Sequence, residues 1–110
     1  MIDWTRVLEL RDEVGAEDMD EVVELFLEEV DGTLDRLTSA PDPDSLSADM
    51  HFLKGAALNL GFADMAAMCA QGERDAGAGN PDLVDVAAVV ACYDASKLEF
   101  ETGLKERVAA

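Results

Sequence analysis

A single imidazole, His51, stands three residues ahead of Lys54 and four ahead of Gly55, in the run His51-Phe52-Leu53-Lys54-Gly55. On a helix, residues three and four apart are surface neighbours. The spacing therefore joins a nucleophile, a cation and a gap. Neutral imidazole is nucleophilic at cellular pH. A lysine in reach can offset the charge of a phosphoryl group placed on that ring. Glycine inside a helix costs about 1 kcal/mol relative to alanine. Its position one turn after His51 clears space beside the imidazole. The chemistry this set could do is acceptance of a phosphoryl group.

Other chemistries find less support. One histidine in the chain excludes a multi-histidine metal site, and no metal ligands are expected. Cys69 and Cys92 lack metal spacing and read as two buried free thiols in a reducing compartment. No carboxylate pair for hydrolysis can be singled out among 25 acidic residues. Asp42, Asp44 and Asp49 lack the glycine and terminal glutamate of a calcium loop. Gly77-Ala78-Gly79 has no Walker lysine and reads as a loop, so no ATP site is expected.

The segment around His51 has a clear apolar direction. Leu46, Met50, Leu53, Ala57 and Leu60 recur at spacings of three and four. At about 100° per residue, that core direction lies roughly 220° from His51, which turns the ring toward solvent. Ser47, Lys54, Gly55 and Leu58 share its exposed face. Leu58 is apolar yet placed outside the core. Lys54 and Arg74 are the only basic residues between Arg36 and Lys97.

Helices must position this face. Only three prolines occur and β-branched runs are missing. Five helical segments are expected. The first runs from about Asp3, as N-cap, to Val14 before Gly15, with Trp4, Val7 and Leu8 on one face. The second runs from about Glu17 to Thr38 on the stripe Met19, Val22, Val23, Phe26, Val30, Leu34 and Leu37; Leu25 and Leu27 fall beside it. The third opens at Asp42-Pro43 and stops at Gly61. The fourth reaches about Ala76, with Met65, Met68, Cys69 and Gly72 along one face. The fifth opens at Asn80-Pro81 and runs to about Arg107 on Leu83, Val86, Val90, Tyr93, Phe100 and Leu104, with the ammonium of Lys97 reaching out to water. Lys105 and Arg107 sit at the negative end of its dipole. The fold expected is all-α: an antiparallel up-and-down four-helix bundle with a short additional N-terminal helix, forming one domain over residues 1–110.

Charge excludes two partner classes. Eight basic residues face 25 acidic ones, a formal net charge of −17. Nucleic acid binding needs a basic footprint, and an anionic membrane would repel this surface. No apolar stretch is long enough to cross a bilayer, and the N-terminal residues do not form a signal peptide pattern. A cytoplasmic monomer is expected.

The run from His51 to Gly61, His-Phe-Leu-Lys-Gly-Ala-Ala-Leu-Asn-Leu-Gly, resembles the signature of histidine-containing phosphotransfer (HPt) domains. The helix layout extends the resemblance over nearly the whole chain. It implies a four-helix bundle that relays phosphoryl groups between aspartates of response-regulator receiver domains. His51 matches the phosphorylated histidine, Lys54 the lysine near the phosphoryl group, Gly55 the glycine that leaves the ring accessible, and Gly61 the turn glycine. Family members often place Gln or Glu on the following helix, bonded to the other imidazole nitrogen. Glu73 falls at that position, with Gln71 as the other candidate.

The reading is a free-standing phosphoryl carrier without its own cofactor, the Mg²⁺ coming from the partner receiver. Receiver domains, and a hybrid histidine kinase, are the implied partners. Gly55 and Leu58 would centre the docking surface, ringed by Ser47, Lys54, Asn59 and Arg74. The alternatives are an HPt-like module that docks without carrying phosphate, and a purely structural acidic bundle, which leaves Gly55 and Leu58 unexplained.

Overall fold

The computed structural model describes residues 2–108, and the side chains of residues 2–106. Five α-helices follow in order: α1 Trp4–Val14, α2 Met19–Ser39, α3 Leu46–Leu60, α4 Ala63–Gly77 and α5 Val86–Val108. A 3-10 turn, Pro81–Leu83, lies between α4 and α5. The packing closes a ring: α2 on α3, α3 on α4, α4 on α5 and α5 on α2. The α3–α4 pair is the most intimate. Helix α1 lies outside this ring, against α2 and α3. The fold is the helical bundle with an added N-terminal helix that the apolar periodicity implies. No strand occurs among the described residues, only an isolated antiparallel bridge between Ile2 and Phe62.

The core follows the stripes closely. Met19, Val23, Val30, Leu34 and Leu37 of α2 are buried. So are Leu46, Met50, Leu53, Ala57 and Leu60 of α3, the five residues that define its core direction. Phe62, Tyr93 and Phe100 form an aromatic centre, with Phe62 edge-on to Phe100 at 5.4 Å. Trp4 stacks on Phe100 at 6.1 Å and 4°. The Trp4 ring lies so close to Gly103 that a Cβ there would collide with its Cζ2. Glycine at 103 is thus the seat for α1 on α5.

Several boundaries and faces differ from the sequence expectation. Helix α3 begins at Leu46, not at Pro43. Asp42 accepts the Asp44 amide through Oδ1 and the Ser45 amide through its carbonyl, which makes a closed turn before the helix. Helix α5 begins at Val86 because Asp85 caps it, accepting the Ala88 amide at 3.0 Å. The Asn80-Pro81 pair opens only the 3-10 turn, and Leu83 there is exposed. Leu10, not Leu8, joins Val7 in the core, and Leu8 is exposed. Met68 is exposed at the edge of α4 while Met65 is buried. Val89 takes the buried place expected for Val90, which is half-buried. Lys97 lies 3.8 Å from Asp31 and over the Tyr93 ring rather than reaching only to water. Leu25 is exposed, whereas Leu27 packs against the core and its carbonyl accepts the Tyr93 hydroxyl. The placement of Arg107 at the helix end lies outside the described side chains.

Cys69 is buried and Cys92 half-buried, both as free thiols. Burial, and then the nearby Cys92, push the Cys69 thiol up to about 12, so it stays protonated and unreactive. Asp49, one of the loosely spaced acids, is committed to Arg36 of α2 through two hydrogen bonds of 2.6 and 3.2 Å.

Candidate functional site

Gly61 makes the turn that sets α3 against α4. It adopts φ 76°, ψ 22°, the left-handed conformation that ends a helix, and its amide returns to Ala57 and Leu58. The chain then reverses into α4. Gly72, in the middle of α4, permits close approach: a Cβ there would stand 2.9 Å from the Met50 sulfur. These two small residues bring the next residue of α4, Glu73, beside the exposed face of α3.

The face carries His51 with its side chain 69% exposed. Its Nδ1 lies 2.8 Å from Glu73 Oε2. The other oxygen, Oε1, accepts a hydrogen bond from Lys54 Nζ at 2.6 Å. One carboxylate therefore holds both the imidazole and the ammonium. Lys54, and after it His51, hold the Glu73 carboxyl below the usual carboxylate range. An ionised carboxylate only accepts hydrogen bonds, so Nδ1 must be the protonated nitrogen. In the neutral ring the lone pair is then left on Nε2. The arrangement can present a nucleophile to solvent with a cation held nearby.

The sign of the Glu73 shift sets a pH dependence. A lowered carboxyl value means that the pairing is present above the usual carboxylate range and is lost as pH falls through the lowered value. Lys54→Met removes the largest cause. The Glu73 carboxyl carbon, followed by NMR, should then titrate at higher pH than in the unaltered chain. An unmoved midpoint would show that the lysine does not hold the carboxylate.

Gly55 is open. A Cβ built on it meets nothing within 4 Å. Internal packing therefore does not require glycine there, and the vacant space faces outward beside His51. Leu58, 56% exposed, continues the same stripe. Gly55→Leu should keep or raise stability by about 0.5–1 kcal/mol, since leucine is the better helix former. The phosphoryl transfer that the family resemblance implies should slow by at least about tenfold, about 1.4 kcal/mol of barrier. Melting and transfer kinetics on the same variant check both, and unchanged transfer removes the role given to the gap.

The remaining expected residues spread around this centre. Ser47 is half-buried, its Oγ turned to the end of α4 near Gly77. Asn59 is half-buried; its Nδ2 donates to the Gly55 carbonyl at 3.1 Å and its Oδ1 accepts from Arg6 at 3.1 Å. Arg74 is exposed and donates to Gln71 Oε1 at 2.7 Å, while Gln71 donates to Asp75. Gln71 therefore belongs to a separate chain of hydrogen bonds on α4, and Glu73 is the residue that meets His51.

Two neighbours escape the sequence reading. Phe52 is exposed beside His51 and adds apolar surface. Its position one residue after the histidine, off the core stripe, was the available signal. Arg6 of α1 reaches Asn59 and also pairs with Glu13 at 2.9 Å. No local pattern announces a contact across 53 residues.

A family model of the Hpt domain matches residues 21–107. The chain belongs to the Hpt family. Helix α1 lies outside the matched stretch, whereas His51, Lys54, Gly55, Gly61 and Glu73 lie within it. Neither the curated proteins nor the solved structures contain a significant match. Hpt domains are phosphocarriers, not kinases, and act in phosphorelays with receiver domains and histidine kinases. Among the described residues, no helix is long and apolar enough to cross a membrane.

Proposed function

We propose that this Hpt protein carries a phosphoryl group on His51 Nε2 between the aspartates of receiver domains. The observation that carries the reading is the Glu73 carboxylate, which binds His51 Nδ1 through one oxygen and Lys54 through the other. By accepting from Nδ1–H, that carboxylate favours the tautomer with the proton on the inner nitrogen, which leaves the outer one as nucleophile on a largely exposed ring. Nε2 attacks the phosphorus of a receiver's aspartyl phosphate. The N–P bond forms, the acyl P–O bond breaks, and the aspartate carboxylate leaves with the bonding pair. Lys54 offsets charge on the arriving group. Phosphoryl transfer is mainly positioning and charge stabilisation, and the receiver brings Mg²⁺ to its own aspartate.

Gly55, Leu58 and Phe52 form the centre of the docking surface, with Ser47, Lys54, Asn59 and Arg74 around it. A transient relay needs only a modest interface. A receiver or the receiver domain of a hybrid histidine kinase would dock there, and the carrier would act as a monomer in the cytoplasm without a cofactor of its own.

The test is incubation with a phosphorylated receiver. The carrier should acquire an adduct that is labile in acid and stable in base. Receiver binding without an adduct would favour a docking module. Neither binding nor adduct would leave a structural bundle.

A further inference from the structure

Glu73 has a second task beyond orienting the ring, and it concerns the loaded carrier. The argument rests on the phosphocarrier reading above. Attack by Nε2 on phosphorus, with the proton already on Nδ1, leaves that proton where it was. The product is a phosphorylated imidazolium: Nε2 bears phosphorus, Nδ1 bears hydrogen, and the ring is cationic. Whether the proton then stays decides how the group leaves again. Breaking N–P from the cation releases neutral imidazole. Breaking it from the deprotonated ring would release an imidazolide anion, a far poorer leaving group.

We propose that Glu73 retains the Nδ1 proton of His51 in both states of the carrier, so the phosphoryl group arrives and departs with no proton moving. The geometry supports this in three ways. Glu73 Oε2 is already at hydrogen-bond distance from Nδ1, at 2.8 Å. A carboxylate can only accept, so it has no favourable contact with a bare Nδ1, whereas a glutamine could turn its N–H toward one. Lys54 on Oε1 keeps the carboxylate ionised, at 2.6 Å.

The other charged groups nearby are committed elsewhere. Arg74 of α4 is turned to Gln71, and Asp75 takes the Gln71 amide. Asp49 of α3 is turned to Arg36 of α2. The anionic phosphoryl group adds a further charge that favours the cationic ring. In the return step a receiver aspartate attacks phosphorus, the N–P bond breaks, and its electron pair returns to Nε2. The starting ring is regenerated, proton in place. The loaded form should therefore remain a ready donor to higher pH than a phosphorylated histidine without a carboxylate partner.

The experiment loads the full chain, unaltered or as Glu73→Gln, with phosphoramidate. This small donor gives its phosphoryl group to the ring and releases ammonia. Loss of phosphate is then followed from neutral to alkaline pH. The unaltered protein should hold its fast rate roughly one pH unit further into the alkaline range than Glu73→Gln, the scale of effect an opposite charge in contact exerts. Coincident profiles would overturn the proposal. A purely structural Glu73 would change melting but would not displace the profile. Nitrogen-15 NMR of the loaded unaltered protein gives a second readout independent of the variant's folding. A protonated Nδ1 just above neutral pH supports the proposal, and a bare Nδ1 refutes it. Failure of His51 to load from phosphoramidate and from a phosphorylated receiver alike would instead remove the phosphocarrier reading, and this proposal with it.

Discussion

Glutamine at position 51 should leave the chain folded and abolish its acceptance of phosphate. The ring is 69% exposed and takes no part in the core, so its loss should change stability by no more than about 0.5 kcal/mol. Lys54 and Glu73 remain paired without it, because their 2.6 Å contact does not pass through the histidine. An amide in place of the imidazole supplies no comparable nucleophile. Transfer from a phosphorylated receiver should therefore fall to background while receiver binding persists. Acid-labile phosphate retained on His51→Gln would move the acceptor elsewhere and end the account of this site.

The second large effect falls on the turn. Gly61→Ala should destabilise the protein by about 3 kcal/mol or more, because three costs coincide. The left-handed conformation alone costs a residue with Cβ about 1–2 kcal/mol. The new Cβ would stand 2.6 Å from the Asp3 carbonyl oxygen and 3.2 Å from Val7 Cγ2. The backbone of Asp3 cannot yield without loosening its own 2.7 Å hydrogen bond to the Gly61 carbonyl, a further loss of about 1 kcal/mol. A fall in Tm on the order of 10 °C is expected for a chain of this size. The same turn sets the register of α4 on α3, so the Glu73–His51 contact should weaken as well. Thermal melting checks the first effect, and an unchanged Tm would show that Asp3 and Val7 do not constrain the turn.

What was legible in the sequence, and what was not, divides along the range of the interaction. His51, Lys54 and Gly55 lie within one helical turn, so their common face follows from 3.6 residues per turn alone. The burial of Leu46, Met50, Leu53, Ala57 and Leu60 follows from the same arithmetic. Glu73 needed the α3–α4 turn to choose it. Residues 71 and 73 are about 200° apart on a helix, so only one can face His51. The starts of α3 and α5 misled because proline after a capping residue also begins a short turn. Asp42 closes such a turn, and Asp85 is the cap that counts for α5. The strap of Ile2 and Asp3 over Phe62 and Gly61, the seat of Trp4 on Gly103 and the reach of Arg6 to Asn59 join distant segments. Periodicity carries no sign of such contacts.

Helix α1 is tied to the bundle by such long-range contacts. It lies outside the stretch matched by the family, yet it covers the turn that fixes α4 and binds the helix that carries His51. Its apolar contacts through Val7 and Leu10 belong to the core, and its polar contact through Arg6 ends one turn beyond Gly55. The N-terminal helix thus supports the C-terminal part of α3 through Arg6 and Asn59 without entering the chemistry.

The central claim is that the outer nitrogen of His51 takes the phosphoryl group. Heteronuclear NMR of the nitrogen-15-labelled carrier, after transfer from a phosphorylated receiver, reads the N–P bond itself. Phosphorus coupled to His51 Nε2, with hydrogen still on Nδ1, is the result expected. Phosphorus on Nδ1, or an unmodified ring in a protein that has gained phosphate, would contradict it.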